Sequence, residues 1–320
     1  MRIKIRMCVK LVQKTLEIIN EVKKVVVGKD EIIAKVLMVI LAKGHILLED
    51  IPGVGKTTLA LAFSKAMSLD YKRIQFTPDV MPTDVTGFSV YNKATGALDY
   101  KPGAAMCNLF LADEINRTSS KTQSALLEVM EEGRITVDGI TREVPSPYIV
   151  IATQNPIGSA GTQMLPDSQL DRFMVRLTMG YPDLHSEIEI LKRKQGKNPL
   201  EQVKTVVNAA DILTMQNAVE NIYLSDALYH YITLLTAATR SNPLIKLGSS
   251  PRGSIALTKM AQASAFLRGK DYVIPEDVQR VFEDVTAHRV LLNAQAKISN
   301  TNVEQILAKI LKEVAAPAVA

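Results

Sequence analysis

The chain has 320 residues, 47% hydrophobic and 22% charged, with a formal net charge of +5. This is the make-up of an ordinary globular protein, long enough for two domains, each with its own core. No apolar run approaches the roughly 18–20 residues that span a bilayer, so membrane insertion is not expected. The basic start, residues 1–6, lacks a long apolar core, so no secretory signal is expected either. Cys8 and Cys107 make neither a disulfide framework nor a metal-ligand spacing, which points to a reducing, cytoplasmic compartment. The mild positive charge permits contact with a polyanion without demanding it.

Apolar positions Leu11, Val12, Ile18, Ile19 and Val22 form a helical stripe over residues 8–24. Residues 25–29 break it, and Asp30 is placed to cap a second helix through Leu41. Apolar runs then read as strands at 45–48, 73–76, 108–112, 148–153 and 173–177. They alternate with helical stretches and are nearly all-apolar, as in a parallel α/β sheet buried on both faces. The first domain is therefore α/β and covers residues 1–181. Two insertions interrupt it, near 77–104 and 133–147. In the first, residues 88–91 and 98–100 flank a turn. In the second, which follows a helix over 120–132 stopped by Gly133, residues 134–137 and 140–144 flank Asp138-Gly139, a two-residue hairpin signal. From 182 to 320 the pattern is helical only. Ser225 can cap a helix through Arg240, and Pro251 and Pro275 stand at the favoured first helical position. The tail, 315–320, is expected to fray.

The chemistry concentrates at the ends of the strands. After the first strand, Pro52-Gly53-Val54-Gly55-Lys56-Thr57-Thr58 runs into a helix, the layout of a triphosphate cradle. The glycines let backbone N–H groups curl around phosphate oxygens, Lys56 reaches the β/γ-phosphates and the Thr57 hydroxyl ligates Mg²⁺. Asp50 stands where the first glycine of the strict pattern is usually written. A second strand ends in Asp113-Glu114: Asp113 would hold Mg²⁺ and Glu114 would polarise the attacking water as general base. A third ends at Asn155, short and neutral, suited to bonding the γ-phosphate and the lytic water. Arg252 lies in the first turn of the helix begun by Pro251, where the macrodipole disfavours a cation, and an anion such as a γ-phosphate would resolve that conflict. No Asn-Lys-x-Asp guanine-reading motif occurs, so ATP is preferred to GTP. His45, His185, His230 and His288 are scattered and suggest no metal site.

These residues carry a resemblance that covers nearly the whole chain. The pieces Val27-Gly28-Lys29, Leu48 through Thr57, Phe110 through Arg117, Ala152 through Pro156, Gln169 through Phe173, Ser250 through Gly253 and Asp271 through Val278, in this order, resemble the AAA+ ATPases of the MoxR group. The resemblance implies a P-loop αβα nucleotide domain followed by an all-helical lid, working with ATP and Mg²⁺ in a ring that is usually hexameric. It implies that the two hairpins are the helix-2 insert and the pre-sensor-1 hairpin of that clade, and that Val27, Gly28 and Lys29 run past the adenine. It makes Arg172 the arginine finger that reaches a neighbouring subunit's nucleotide, with Arg117 as rival, and Arg252 a lid sensor.

The function that follows is a chaperone-like ATPase that remodels, assembles or activates partner proteins, often ones with a von Willebrand A-type domain. The alternatives are a nucleic-acid-stimulated motor and the motor subunit of a metal chelatase. The hairpins carry few basic residues and no separate DNA-binding domain is visible, so a nucleic-acid partner is not expected. Glu114 and Asn155 together speak against a non-hydrolysing scaffold.

Overall fold

The computed structural model describes residues 2–155, 164–194 and 198–318. Helix α1 (Arg2–Lys23) buries Leu11, Thr15, Ile18 and Val22, one stripe at helical spacing. A turn through Gly28 leads to α2 (Asp30–Leu41). Asp30 is not its cap: Lys29 occupies that position without a side-chain capping bond, and Asp30 sits in the first turn, 2.7 Å from Lys23 Nζ. Strand β1 (Ile46–Glu49), α3 (Lys56–Ala66) and β2 (Tyr71–Gln75) follow. A short α4 (Pro82–Thr86) opens the first hairpin, β3 (Gly87–Asn92) with β4 (Ala97–Pro102). Then come β5 (Leu109–Asp113), α5 (Ser120–Glu132), the second hairpin of β6 (Arg134–Val137) and β7 (Ile140–Glu143), β8 (Ile149–Gln154), α6 (Asp167–Leu170) and β9 (Val175–Leu177). Ser119 caps α5 by accepting from Thr122 N, and Gly133 ends it in the left-handed conformation.

Five strands form one parallel sheet in the order β2-β5-β8-β1-β9. Successive side chains on a strand face opposite ways, so each central strand feeds two cores. Leu48, Leu109, Leu111, Ile149 and Ile151 join α1, α2 and α3 on one side. Leu47, Phe110, Ala112, Val150 and Ala152 join α5, the second hairpin and the residues flanking the first, Val85 and Ala105, on the other. The expectation of strands buried on both faces holds for β5 and β8 and fails for β2. As an edge strand, β2 alternates half-buried and exposed positions and carries Arg73 and Gln75 at one end.

The remaining helices are α7 (Leu184–Lys194), α8 (Ala209–Glu220), α9 (Asp226–Ser241), α10 (Pro251–Leu267), α11 (Pro275–Thr286), α12 (Ala294–Ile298) and α13 (Val303–Glu313). Pro251 and Pro275 do begin their helices, whereas Ser225 makes no side-chain capping bond. This part is not purely helical: β10 (Ile245–Leu247) pairs antiparallel with β11 (Leu291–Leu292), and Tyr223 bridges Tyr272. Nor is its core separate. Leu257, Met260, Phe266 and Phe282 belong to the same buried cluster as Leu37, Ile40 and the α1 stripe. None of the described helices is long and apolar enough to cross a membrane.

His45, at the foot of β1, ties three elements together. Its Nδ1 accepts from Val150 N at 3.1 Å, and its Nε2 donates to Met130 O at 3.0 Å. The ring is therefore neutral, and burial pushes its pKa down to about 4. A folded value below the unfolded one means that the unfolded chain takes up the proton first. The stability His45 contributes is thus full above pH 6.5 and is lost as pH falls through about 4, by roughly 3 kcal/mol at most. His288, buried beside Arg289, is shifted the same way. Urea unfolding followed by circular dichroism should show stability falling over this window. His45→Gln, which cannot titrate, should lose measurably less.

Candidate active site

Beyond β1 the chain turns through residues 51–55 into α3. Gly53 and Gly55 have φ of +87° and +97°, left-handed values that a side chain resists. A Cβ added at either would meet nothing within 4 Å, so they do not relieve crowding: the loop curls around open space. Gly55 is the N-cap of α3 and offers no side chain to the first-turn N–H groups, which are left for an anion. Lys56 Nζ donates to Asp50 O at 2.8 Å. Burial lowers the Lys56 pKa, while the negative charges of Asp50, Asp113 and Glu114 oppose that shift.

The loop closes one wall of a cavity of about 380 Å³, lined by Pro52, Lys56, Thr57, Thr58, Asp113, Glu114 and Asn155 together with Gly53 and Gly55. Three separate stretches of the chain, 52–58, 113–114 and 155, thus meet in one cleft. Asp113 Oδ1 accepts from the Thr153 hydroxyl at 2.6 Å, and the same hydroxyl takes the Glu114 N–H at 2.9 Å. Glu114 is itself left-handed, at φ +56°, an uncommon backbone for a side-chain-bearing residue that aims its carboxylate into the cleft. Asn155 O accepts from the Asn116 amide at 3.4 Å, and Pro156 lies outside the described residues.

One arginine lining this cleft escaped the sequence reading of the site. Arg73 grips Asp113 Oδ2, with Nη2 at 2.6 Å and Nε at 3.3 Å. Its signal was available, a cation two residues before a glutamine at the end of a strand otherwise read as apolar. Arg117, named as a rival finger, is bonded within its own chain to Glu114 Oε2 at 2.7 Å. The oxygen donors Thr57 and Asp113 suit a hard ion such as Mg²⁺, which keeps waters and takes phosphate oxygens rather than a full protein cage. No cluster of three acidic, His or Cys ligands occurs among the described residues.

A second groove, of about 250 Å³, shares Gly53, Gly55 and Thr58 with the cleft and continues it towards Val25, Val27, Val54, Pro182, Ile190 and Leu200. Its apolar walls fit a nucleobase. Lys29 lines it and donates to Tyr181 O at 2.9 Å. Gly28 does not line it: a Cβ there would sit 2.1 Å from the Ser186 Oγ, so this glycine serves a close packing against α7.

Arg172 and Arg252 lie elsewhere. They line a third cavity, of about 220 Å³, that shares no residue with the phosphate cleft. Both pair with Glu131 at the end of α5, Arg172 Nη1 at 3.2 Å and Arg252 through a short contact. The anion that offsets the helix dipole at Arg252 is therefore Glu131, and this chain's own phosphate loop is not beside it. The neighbouring Ser250 hydroxyl does not cap α10 but donates to Asp171 at 3.0 Å. Asp171 is held in turn by Arg289 Nε at 2.8 Å, a residue no motif had marked.

Comparison with known proteins agrees with this geometry. Residues 45–175 match the family described as "ATPase family associated with various cellular activities (AAA)", and residues 237–310 match the AAA lid domain. The chain is 48% identical to the uncharacterized protein YeaC of Bacillus subtilis, covering 93% of each. It is 40% identical to chaperone MoxR1 of Mycobacterium tuberculosis, over 94% of this chain and 82% of that one. A crystal structure of an ATPase candidate from Cytophaga hutchinsonii superposes with a TM-score of 0.91 at 39% identity, covering 97% of both chains. A P-loop αβα domain, a helical lid and this degree of identity place the chain in the MoxR group of AAA+ ATPases.

Proposed function

We propose that this ATPase hydrolyses ATP in a ring of identical subunits and uses the cycle to remodel, assemble or activate partner proteins. Residues 1–181 serve as the nucleotide domain and 182–320 as the lid. The carrying observation is the separation of the two cavities: Lys56, Thr57, Asp113, Glu114 and Asn155 share one cleft, while Arg172 and Arg252 stand together in another. A chain that holds these two arginines away from its own phosphate cleft supplies them to a neighbour. The first-turn N–H groups of α3 and Lys56 bind the phosphates, and Thr57 and Asp113 would hold Mg²⁺, which would supply neutralisation of phosphate charge. The Glu114 carboxylate takes the proton of the water that attacks the γ-phosphorus as the bond to the ADP oxygen breaks, and Asn155 orients that water. Glu114 must first leave Arg117.

The hairpins support a protein client over nucleic acid. Phe88, Val90, Tyr91 and Leu98 are exposed on the first and Ile140 on the second, an apolar rather than cationic presentation. The likeness to chaperone MoxR1 supports the same reading, and the family resemblance makes a von Willebrand A-type domain the client class to try first.

Glu114→Gln should bind a fluorescent ATP analogue as wild type does while turnover falls by about a hundredfold or more, and unchanged turnover would remove Glu114 as the base. Immobilised with ATP, this variant should retain the client from a lysate. Arg172→Ala should abolish hydrolysis, since a finger contributes about 10³–10⁵ in rate. Mixing it with Glu114→Gln subunits should restore activity at interfaces where an intact Glu114 meets an intact Arg172. If no mixture recovers turnover, the finger does not act between subunits.

A further inference from the structure

Asp50 replaces the first glycine of the phosphate-loop pattern, and its side chain is almost completely buried, at 4% exposed. A buried carboxylate is costly unless fully bonded. Here Oδ1 accepts from Ile51 N at 2.9 Å, while Oδ2 accepts from two successive amides of a distant segment, Met179 N at 2.6 Å and Gly180 N at 2.7 Å. The same residue's carbonyl takes Lys56 Nζ, and its N–H donates to Gln154 O at 3.1 Å. Residues 179 and 180 are the exit from β9. Tyr181 follows, with its carbonyl on Lys29, and then Pro182, which walls the base groove. Asp50 thus touches the phosphate loop on one side and the chain that becomes the base-groove wall on the other, while lining neither cavity itself.

We propose that Asp50 is a positioning residue that locks the phosphate loop to the 179–182 segment, so that phosphate and base contacts are made together and ATP binds more tightly than its triphosphate alone accounts for. The proposal rests on the nucleotide-site reading above. A glycine would give the loop its turn but no such link, which explains a charged residue at a position that otherwise calls for none. Asn cannot replace it: an amide has one acceptor oxygen for three N–H donors, and its own NH₂ would face at least one of them.

The test compares ATP with inorganic tripolyphosphate, by calorimetry on the full chain. In Asp50→Asn, ATP affinity should fall at least about tenfold, with tripolyphosphate affinity changing less than about threefold. Equal losses for both ligands, or no loss for either, overturn the proposal and leave the nucleotide site standing. If the wild type binds neither ligand, the nucleotide-site reading fails first. Should the variant not fold, hydrogen exchange on the wild type decides. Tripolyphosphate should slow exchange of the Met179 and Gly180 amides, which lie outside the phosphate cleft, and unaltered exchange there overturns the lock.

Discussion

Parallel hydrogen bonding sets Leu111 of β5 and Ile46 of β1 level with the same residue of β8, Ile151, so three buried strands reach one edge of the sheet in step. Two residues further along, Asp113, Thr153 and Leu48 arrive together. The Thr153 hydroxyl closes the gap to Asp113, and the phosphate loop opens just beyond Leu48. A slip of one residue in either pairing would turn Phe110 and Leu111 to the wrong cores and carry the acids away from the loop. The apolar alternation between the two faces therefore does more than stabilise the sheet. It fixes the spacing of the groups for which the chemistry is proposed.

Two acids at this edge carry arginines, Asp113 with Arg73 and Glu114 with Arg117, and away from it, at the end of α5, Glu131 carries both Arg172 and Arg252. The partners differ in how firmly they are held. Arg172 and Arg252 keep 33% and 45% of their side-chain surface exposed, so each pair with Glu131 is worth about 1 kcal/mol or less. Such arginines can be given up to a phosphate at little cost. Asp113 is only 12% exposed and also bonded to Thr153, so its pair with Arg73 is the harder one to open.

Much of this was legible beforehand, because strands, loops and caps are local. The alternation of apolar runs marked all five sheet strands, Asp138-Gly139 marked a hairpin, and Gly133 marked the end of a helix. What escaped was long-range pairing. The partnership of Glu131 with Arg172 and Arg252, and that of Asp171 with Arg289, join residues tens of positions apart with no periodicity to announce them. Arg73 was masked by being on an edge strand, where one face need not be apolar. The ribbon of β10 and β11 was missed because strands of two or three residues leave no pattern.

Arg289 is 2% exposed at its side chain and reaches from the end of α11 to the carboxylate of Asp171 and the carbonyls of Phe173 and Met174. These acceptors flank Arg172 on the chain entering β9, while Ser250, one residue before α10, holds Asp171 from the other side. The helices that carry Arg252 are thus riveted to the peptide that carries Arg172. Arg172 and Arg252 are carried by one bonded unit, so in the ring proposed above any tilt of those helices would move both guanidinium groups together.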